Sequence, residues 1–385
     1  MKYFLIAGEQ SGDLHGSNLV KELLAADRDA EILCWGGDLM EAAGAKLLMH
    51  YSQTAFMGFT VILKNLCKIS RNLRLCKKQI AEYKPDVVIL IDYPGFNLRI
   101  AKYAKVSGFR VFYYISPKFW AWNEGRVKKV KKYVDRMYII FPFETEFYGR
   151  YNIPVKYQGN PLVDEIEKRR SSLPSKDQIV KTLAPGTKPV IAILAGSRRG
   201  EVQSILPQIL KVVKHFPDYQ FVLAGVKNLP DELYHSIIGA EPVRLIKENT
   251  YEILHAADAA LVKSGTSTLE AALLGIPQVV CYKSDFFSML IALIVIKVKF
   301  VSLVNLIMNR EVVKEILGYD VNEKNILREL KAILPGGEKR DKMIADYKLL
   351  GEKLGPAGAS ARIAGDMFAE MRRGGGEEGR GRKDL

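Results

Sequence analysis

Asp92 closes the apolar run "PDVVILI" (85–91) and stands two residues before Pro94. A carboxylate carried on the end of a buried strand projects beyond the sheet, where it can take a proton from an attacking hydroxyl. The competing role is a cap for the turn Asp-Tyr-Pro-Gly that follows. A second stretch, "AGEQSGDLHGS" (7–17), sets Gly8, Gly12 and Gly16 four apart after the strand-like "KYFLIA" (2–7). This spacing is not the dinucleotide pattern G-x-G-x-x-G. The loop instead offers Ser11 and Asp13 as polar contacts, with Gly8 and Gly12 giving the backbone room. Ser11 reads either as a substrate contact or as the cap of the next helix.

Two later loops suit a diphosphate. In "ILAGSRRGEV" (193–202) a strand leads through Gly196 and Ser197 into a helix start flanked by Arg198 and Arg199. Backbone N–H groups at a helix N-terminus, together with a guanidinium, bind phosphate. "VKSGTSTLEAALLGIP" (262–277) repeats the pattern, with Ser264, Gly265 and Thr266 opening a short helix and Glu270 in its first turns. A carboxylate so placed can accept both hydroxyls of a ribose. Each loop alone also reads as an ordinary helix cap. Together, at strand ends of one α/β unit, they point to a nucleoside diphosphate. The Walker A pattern does not occur, which argues against hydrolysis of the P-loop kind.

The elements that must carry these residues alternate strand and helix. Continuous apolar runs at 2–7, 85–91, 110–115 and 136–141, and again at 189–194, 219–224, 258–262 and 277–282, predict parallel sheets covered on both faces. A length of 385 residues favours two domains. The expected boundaries are 1–163, completed by a helix at about 356–373, and 164–355. These two Rossmann-like units are expected to face each other across a cleft. The glycine-rich, charged end 374–385 is expected to be disordered.

Cys34, Cys67, Cys76 and Cys281 have no C-x-x-C spacing, and the five histidines are scattered, so neither a disulfide framework nor a metal site is expected. His15, beside the first loop, reads as structural. The apolar start is too short for a signal peptide, and Lys297 and Lys299 interrupt the stretch 286–300. A net charge of +14 suggests a polyanionic partner: nucleic acid, an anionic membrane or a phosphorylated substrate. Basic residues interleaved with aromatics, as nucleic-acid binding would predict, occur only weakly at 113–136, and no nucleic acid is expected. A nicotinamide dehydrogenase lacks its fingerprint.

"GEQSGDLHGS", "IDYPGFN" (91–97), "YISPKFWAW" (114–122), "FPFETEFY" (141–148), "GNPLVD" (159–164), "GSR" (196–198) and "KSGTSTLE" (263–270) together resemble the lipid-A-disaccharide synthase family. The resemblance implies an inverting glycosyltransferase of the two-Rossmann GT-B fold that uses no cofactor. Its implied donor is UDP-2,3-diacylglucosamine and its acceptor 2,3-diacylglucosamine 1-phosphate. The products are a β-1,6 disaccharide and UDP. Asp92 matches the aspartate of the family motif and is expected to be the base. Asn97 and Glu144, inside the matched blocks, join Ser11 and Asp13 as expected sugar contacts. UDP is expected on Gly196, Ser197, Arg198, Ser264, Gly265, Thr266, Glu270 and Asn305, with Arg198 clamping the leaving group. Ala195, Val304 and Gly318 depart from the family pattern, which usually has proline, proline and glutamine there. The nucleotide-side blocks alone also suit a UDP-N-acetylglucosamine transferase or epimerase.

Acylated substrates imply work at a membrane, peripherally on the cytoplasmic leaflet of the inner membrane. Over 62–80, Ile62, Leu66, Ile69, Leu73, Cys76 and Ile80 repeat at helical spacing, opposite Lys64, Lys68, Arg71 and Lys78. Such a helix either lies on an anionic leaflet through Lys64, Lys68 and Arg71 or packs on its sheet with a solvated basic face. "FMGF" (56–59), the apolar 286–296 and "RVKKVKKYVDR" (126–136) favour the first.

Overall fold

Strands that are apolar on both faces need helices on both sides, and this dictates two parallel sheets. The computed structural model describes residues 1–54, 65–122, 124–183, 188–283 and 299–378. Its first sheet contains β1 (Lys2–Ala7), β2 (Glu31–Gly36), β3 (Lys46–His50), β4 (Val87–Ile91), β5 (Arg110–Tyr114), β6 (Arg136–Ile139) and β7 (Val155–Tyr157), ordered β3-β2-β1-β4-β5-β6-β7. The second contains β8 (Val190–Leu194), β9 (Gln220–Gly225), β10 (Val243–Lys247), β11 (Ala257–Lys263), β12 (Gln278–Tyr282) and β13 (Lys314–Leu317), ordered β10-β9-β8-β11-β12-β13.

Both sheets are wound the same way. The first strand of each lies centrally beside the fourth, and strand order reverses between them. At that switch point two loops leave the sheet in opposite directions and open a crevice for ligands. The pairing Ala7↔Ile91 sets the loop after β1 beside Asp92. The pairing Leu194↔Val262 sets Gly196–Arg198 beside Lys263–Thr266. All the catalytic and phosphate candidates except Asn97, Glu144 and Asn305 sit at one of these two points.

The chain divides into two compact units, Met1–Asp164 with the C-terminal helix, and Glu165–Pro356. That helix, Ala359–Glu378, continues into the stretch expected to be disordered. It is clamped to the first unit. Asp164 accepts the N–H groups of Gly358, Ala359 and Ser360 at 2.7, 3.0 and 2.9 Å. Lys156 pairs with Asp366 and Glu370, and Arg136 with Glu370.

Strands β2, β3, β7, β10 and β13 escape the sequence reading. Apart from β2, they are short, half-exposed and carry lysine, arginine or histidine, as residues near a sheet edge do. Among the described residues no helix is long and apolar enough to cross a membrane.

Candidate active site

The first switch point is built on a close approach. A Cβ on Gly8 would stand 2.2 Å from Cγ of Tyr93, so glycine lets the two loops touch. Gly16 serves helix packing, since a Cβ there would meet Met40 Sδ at 2.6 Å and Ile91 Cδ1 at 3.1 Å. The glycine spacing that resembles a phosphate loop therefore belongs to helix-on-sheet contact.

Asp92 and Tyr93 are consecutive left-handed residues, with φ of 44° and 50°. Non-glycine residues adopt this conformation at a cost, and only where the surroundings impose it. Here Tyr113 Oη and Asn97 Nδ2 both donate to the Asp92 carbonyl, at 2.5 and 2.8 Å. Asn97 Nδ2 also reaches the carbonyl of Ile91, at 3.2 Å. Asn97 is fully buried, so it fixes the turn from beneath. Burial and the nearby Glu9 carboxylate push the Asp92 carboxyl up to about 6, against the pull of Lys118 and the Tyr93 N–H. Ser11 Oγ donates to Glu9 Oε1 at 2.7 Å. Glu9 and Lys118 are thus site residues the sequence reading missed. Glu9 lies inside the first quoted motif, but only the β1–β4 pairing shows that it faces Asp92.

Asp13 is buried and accepts the N–H groups of Gly37, Leu39 and Met40 at 2.8, 3.1 and 3.1 Å. It thereby caps the short helix Asp38–Ala42. Glu144 is also buried, and accepts from Ser116 Oγ (2.8 Å), Trp120 Nε1 (3.1 Å) and the N–H groups of Ile140 (3.2 Å) and Phe141 (3.0 Å). Burial raises its carboxyl to about 7 despite these four donors. The motifs "YISPKFWAW" and "FPFETEFY" are joined through this one carboxylate. Lys118 sits on the loop it ties down, between Ser116 and Trp120.

At the second switch point Gly196 has φ of 116°, and a Cβ there would stand 2.6 Å from Glu201 Oε2. Glu201 closes back on the start of its own helix, Arg199–Val213, accepting from the N–H groups of Ser197 (3.0 Å) and Arg198 (3.3 Å). Its other oxygen pairs with Lys263 at 2.8 Å and lies 3.6 Å from Arg198 Nη1. Burial opposes ionisation of Glu201, but Lys263, the Ser197 N–H and Arg198 together hold its carboxyl below the ordinary value. Lys263 and Glu201 bind the two loops to each other. The Arg198 side chain is mostly exposed.

The helix Thr266–Leu273 has no side-chain cap at Gly265, and a Cβ on Gly265 would meet nothing within 4 Å. Packing does not require glycine there. Ser264 Oγ donates to the Val301 carbonyl at 2.8 Å. Glu270 accepts from Tyr251 Oη at 3.1 Å, and burial is the main cause of its raised carboxyl pKa. Asn305 is wholly engaged: its oxygen takes the N–H groups of Val312 and Val313 at 2.7 and 3.0 Å, and its amide donates to Val313 O and Glu315 Oε1, both at 2.9 Å. Glu315 in turn holds the N–H of Val301, linking Asn305 to the Ser264 loop.

Over residues 3–362 the sequence matches the family model for lipid-A-disaccharide synthetase. The chain belongs to the lipid-A-disaccharide synthase family. Relatives bearing that name share 38% identity over 368 residues in Syntrophus aciditrophicus (94% of this chain, 95% of the relative). In Geobacter sulfurreducens the figure is 35% over 372 residues (94% and 96%). The fold is shared with the UDP-GlcNAc 2-epimerase of Neisseria meningitidis solved with UDP-GlcNAc, at TM-score 0.70 and 14% identity, covering 96% of this chain and all of that one. The calicheamicin glycosyltransferase CalG4 aligns at TM-score 0.61 and 15% identity, over 96% and 98%. As a lipid-A-disaccharide synthase family member, the chain is a glycosyltransferase on two Rossmann-like units of the GT-B kind.

The family's departures find places in the fold. Ala195 and Val304 are buried, and Gly318 takes φ of 58°, a conformation that disfavours glutamine. The basic helix is described from Leu66 to Tyr83. Its apolar stripe divides: Cys76 and Ile80 are buried, whereas Leu66 is 52% exposed beside the exposed Lys68 and Arg71. Lys64, "FMGF" and 286–296 lie outside the described residues.

Proposed function

We propose that the chain joins UDP-2,3-diacylglucosamine to the 6-hydroxyl of 2,3-diacylglucosamine 1-phosphate with inversion, releasing UDP and the β-1,6 disaccharide. The observation that carries this is Asp92, held at a strand end on a strained turn with its carboxyl raised to about 6. Such a base is ionised at neutral pH yet basic enough to take the hydroxyl proton as the oxygen attacks the anomeric carbon. The proton leaves on Asp92 and the electron pair of the breaking bond leaves on the diphosphate.

Arg198 and the uncapped N–H groups around Thr266 bind that diphosphate, and Gly265 lets it approach. Gly196 and Ser197 shape the loop, the N–H groups of Ser197 and Arg198 being taken up by Glu201. Glu270, steadied by Tyr251, receives the ribose hydroxyls. Ser11 contacts sugar through the Glu9–Asp92 cluster. Asp13, Asn97, Glu144 and Asn305 act as positioning residues, since each directs its polar atoms into the protein. Leu66, Lys68 and Arg71 touch the cytoplasmic leaflet of the inner membrane, where the acylated substrates reside.

Incubating the protein with both diacylated substrates in detergent, and following UDP and disaccharide by mass spectrometry, tests the reaction. Folded protein that forms neither product overturns it.

A further inference from the structure

A groove of about 550 Å³ opens in the first unit, and its lining includes Tyr93, Pro94 and Gly95, the residues directly after Asp92. Residues of three helices wall it, Leu66–Tyr83, Pro94–Val106 and Val127–Tyr133. Six of its thirteen lining residues are cationic, namely Arg99, Lys102, Arg126, Lys128, Lys129 and Lys132, and none is acidic. Arg99 and Lys102 share a face of the second helix at i, i+3 spacing, as Lys129 and Lys132 do on the third. Among the described residues Arg99, Lys102, Lys128 and Lys129 form no ion pair. Ile69, Phe96 and Leu98 add apolar surface to the same groove.

Like charges gathered around one groove repel one another unless an anion sits among them. Apolar surface alongside the cations selects an anion that is part of an amphiphile. A phosphomonoester carries about 1.5 to 2 negative charges at neutral pH, whereas the phosphodiester of a bilayer lipid carries one. The concentration of cations favours the monoester, and a lining that contains the three residues after the proposed base favours a substrate over a bilayer lipid.

We infer that this groove binds the phosphomonoester of the acylated acceptor and so directs the acceptor's hydroxyl toward Asp92. The inference rests on the glycosyl-transfer reading and names the acceptor subsite within it. Lys and Arg suit the task differently: Arg99 offers a bidentate fork, and the lysines offer point charges around it.

Two double variants of exposed side chains test this, Arg99→Gln with Lys102→Gln and Lys128→Gln with Lys129→Gln. Equilibrium binding of radiolabelled 2,3-diacylglucosamine 1-phosphate in detergent is compared with that of the same sugar lacking its phosphate. Wild type is expected to prefer the phosphorylated sugar at least 10-fold, and each variant to lose that preference while binding UDP normally. Equal binding of the two sugars by wild type, or a preference that survives in both variants, overturns the groove assignment. Because binding is read without turnover, a wild type that prefers the phosphate yet forms no disaccharide counts against the transferase reading alone. Flotation with phosphatidylglycerol vesicles is expected to be unchanged in the variants. Lost flotation with an intact phosphate preference assigns the groove to bilayer headgroups instead and overturns the inference.

Discussion

At the scale of the residue, Asp92 connects catalysis to stability with opposite signs. Its folded carboxyl sits at about 6, above the ordinary aspartate value, so the native state holds this proton more tightly than the unfolded chain does. Activity should therefore fall as the pH drops through about 6, with a unit slope in log kcat/KM. Asp92→Asn should flatten that limb and lower turnover by roughly 10²-fold or more, while UDP still binds. Near-normal turnover in this variant removes Asp92 from the role of base. The stability effect runs the other way. Above about pH 6 the fold bears a buried charge, and the cost disappears as the pH falls toward 4. Asp92→Asn should then unfold at higher temperature than wild type at pH 8, with the gap closing at pH 4, as differential scanning calorimetry would show. Glu270→Gln, measured at the donor site, should weaken UDP binding by roughly 10-fold or more, the size expected for losing charge-assisted hydrogen bonds.

At the scale of the element, the site depends on how closely loops and helices approach one another. The Tyr93 ring lies against Gly8, stacks on Phe96 at 5.5 Å, and is tethered by its hydroxyl to the Thr54 carbonyl at 2.6 Å. It has little freedom to move aside. Gly8→Ala should cost about 1–3 kcal/mol in urea unfolding, the range for overpacking a filled site. Turnover should fall further than stability, because the displaced ring is next to Asp92 in the chain. Asn305→Ala leaves the N–H groups of Val312 and Val313 without their acceptor, while Glu315 Oε1 keeps the Ser302 N–H. A loss of about 1–3 kcal/mol per orphaned group is expected. The Ser264 loop should loosen with it, seen as a raised KM for the donor with kcat less affected. The basic helix divides its duties along its length, anchoring through Cys76 and Ile80 and presenting Leu66, Lys68 and Arg71 outward.

Across the whole molecule, the charge of +14 suits the proposed attachment to an anionic surface. Reversing Lys68 and Arg71 to Glu should reduce partition into anionic vesicles by more than 10-fold at low salt, at about 1 kcal/mol per charge removed and as much again per charge added. Unchanged partition places the contact elsewhere. The order of residues alone implies the two parallel sheets, because doubly buried strands must be continuously apolar and eight of them are. It also singled out Asp92 and the two loops proposed for the diphosphate, because strand ends, glycines and polar side chains are contiguous in the chain. It did not reveal the half-exposed strands, whose mixed residues look like loops until a neighbour pairs with them. Nor did it separate contact from support. Asp13, Asn97, Glu144 and Asn305 stand among the motif residues, yet their polar atoms turn inward to protein groups, which for Asp13 are the N–H groups of Gly37, Leu39 and Met40. Glu9, Lys118, Glu201 and the cationic groove were invisible for the same reason. Each acquires its role from residues brought beside it by strand order and helix packing, and only tertiary structure sets those distances.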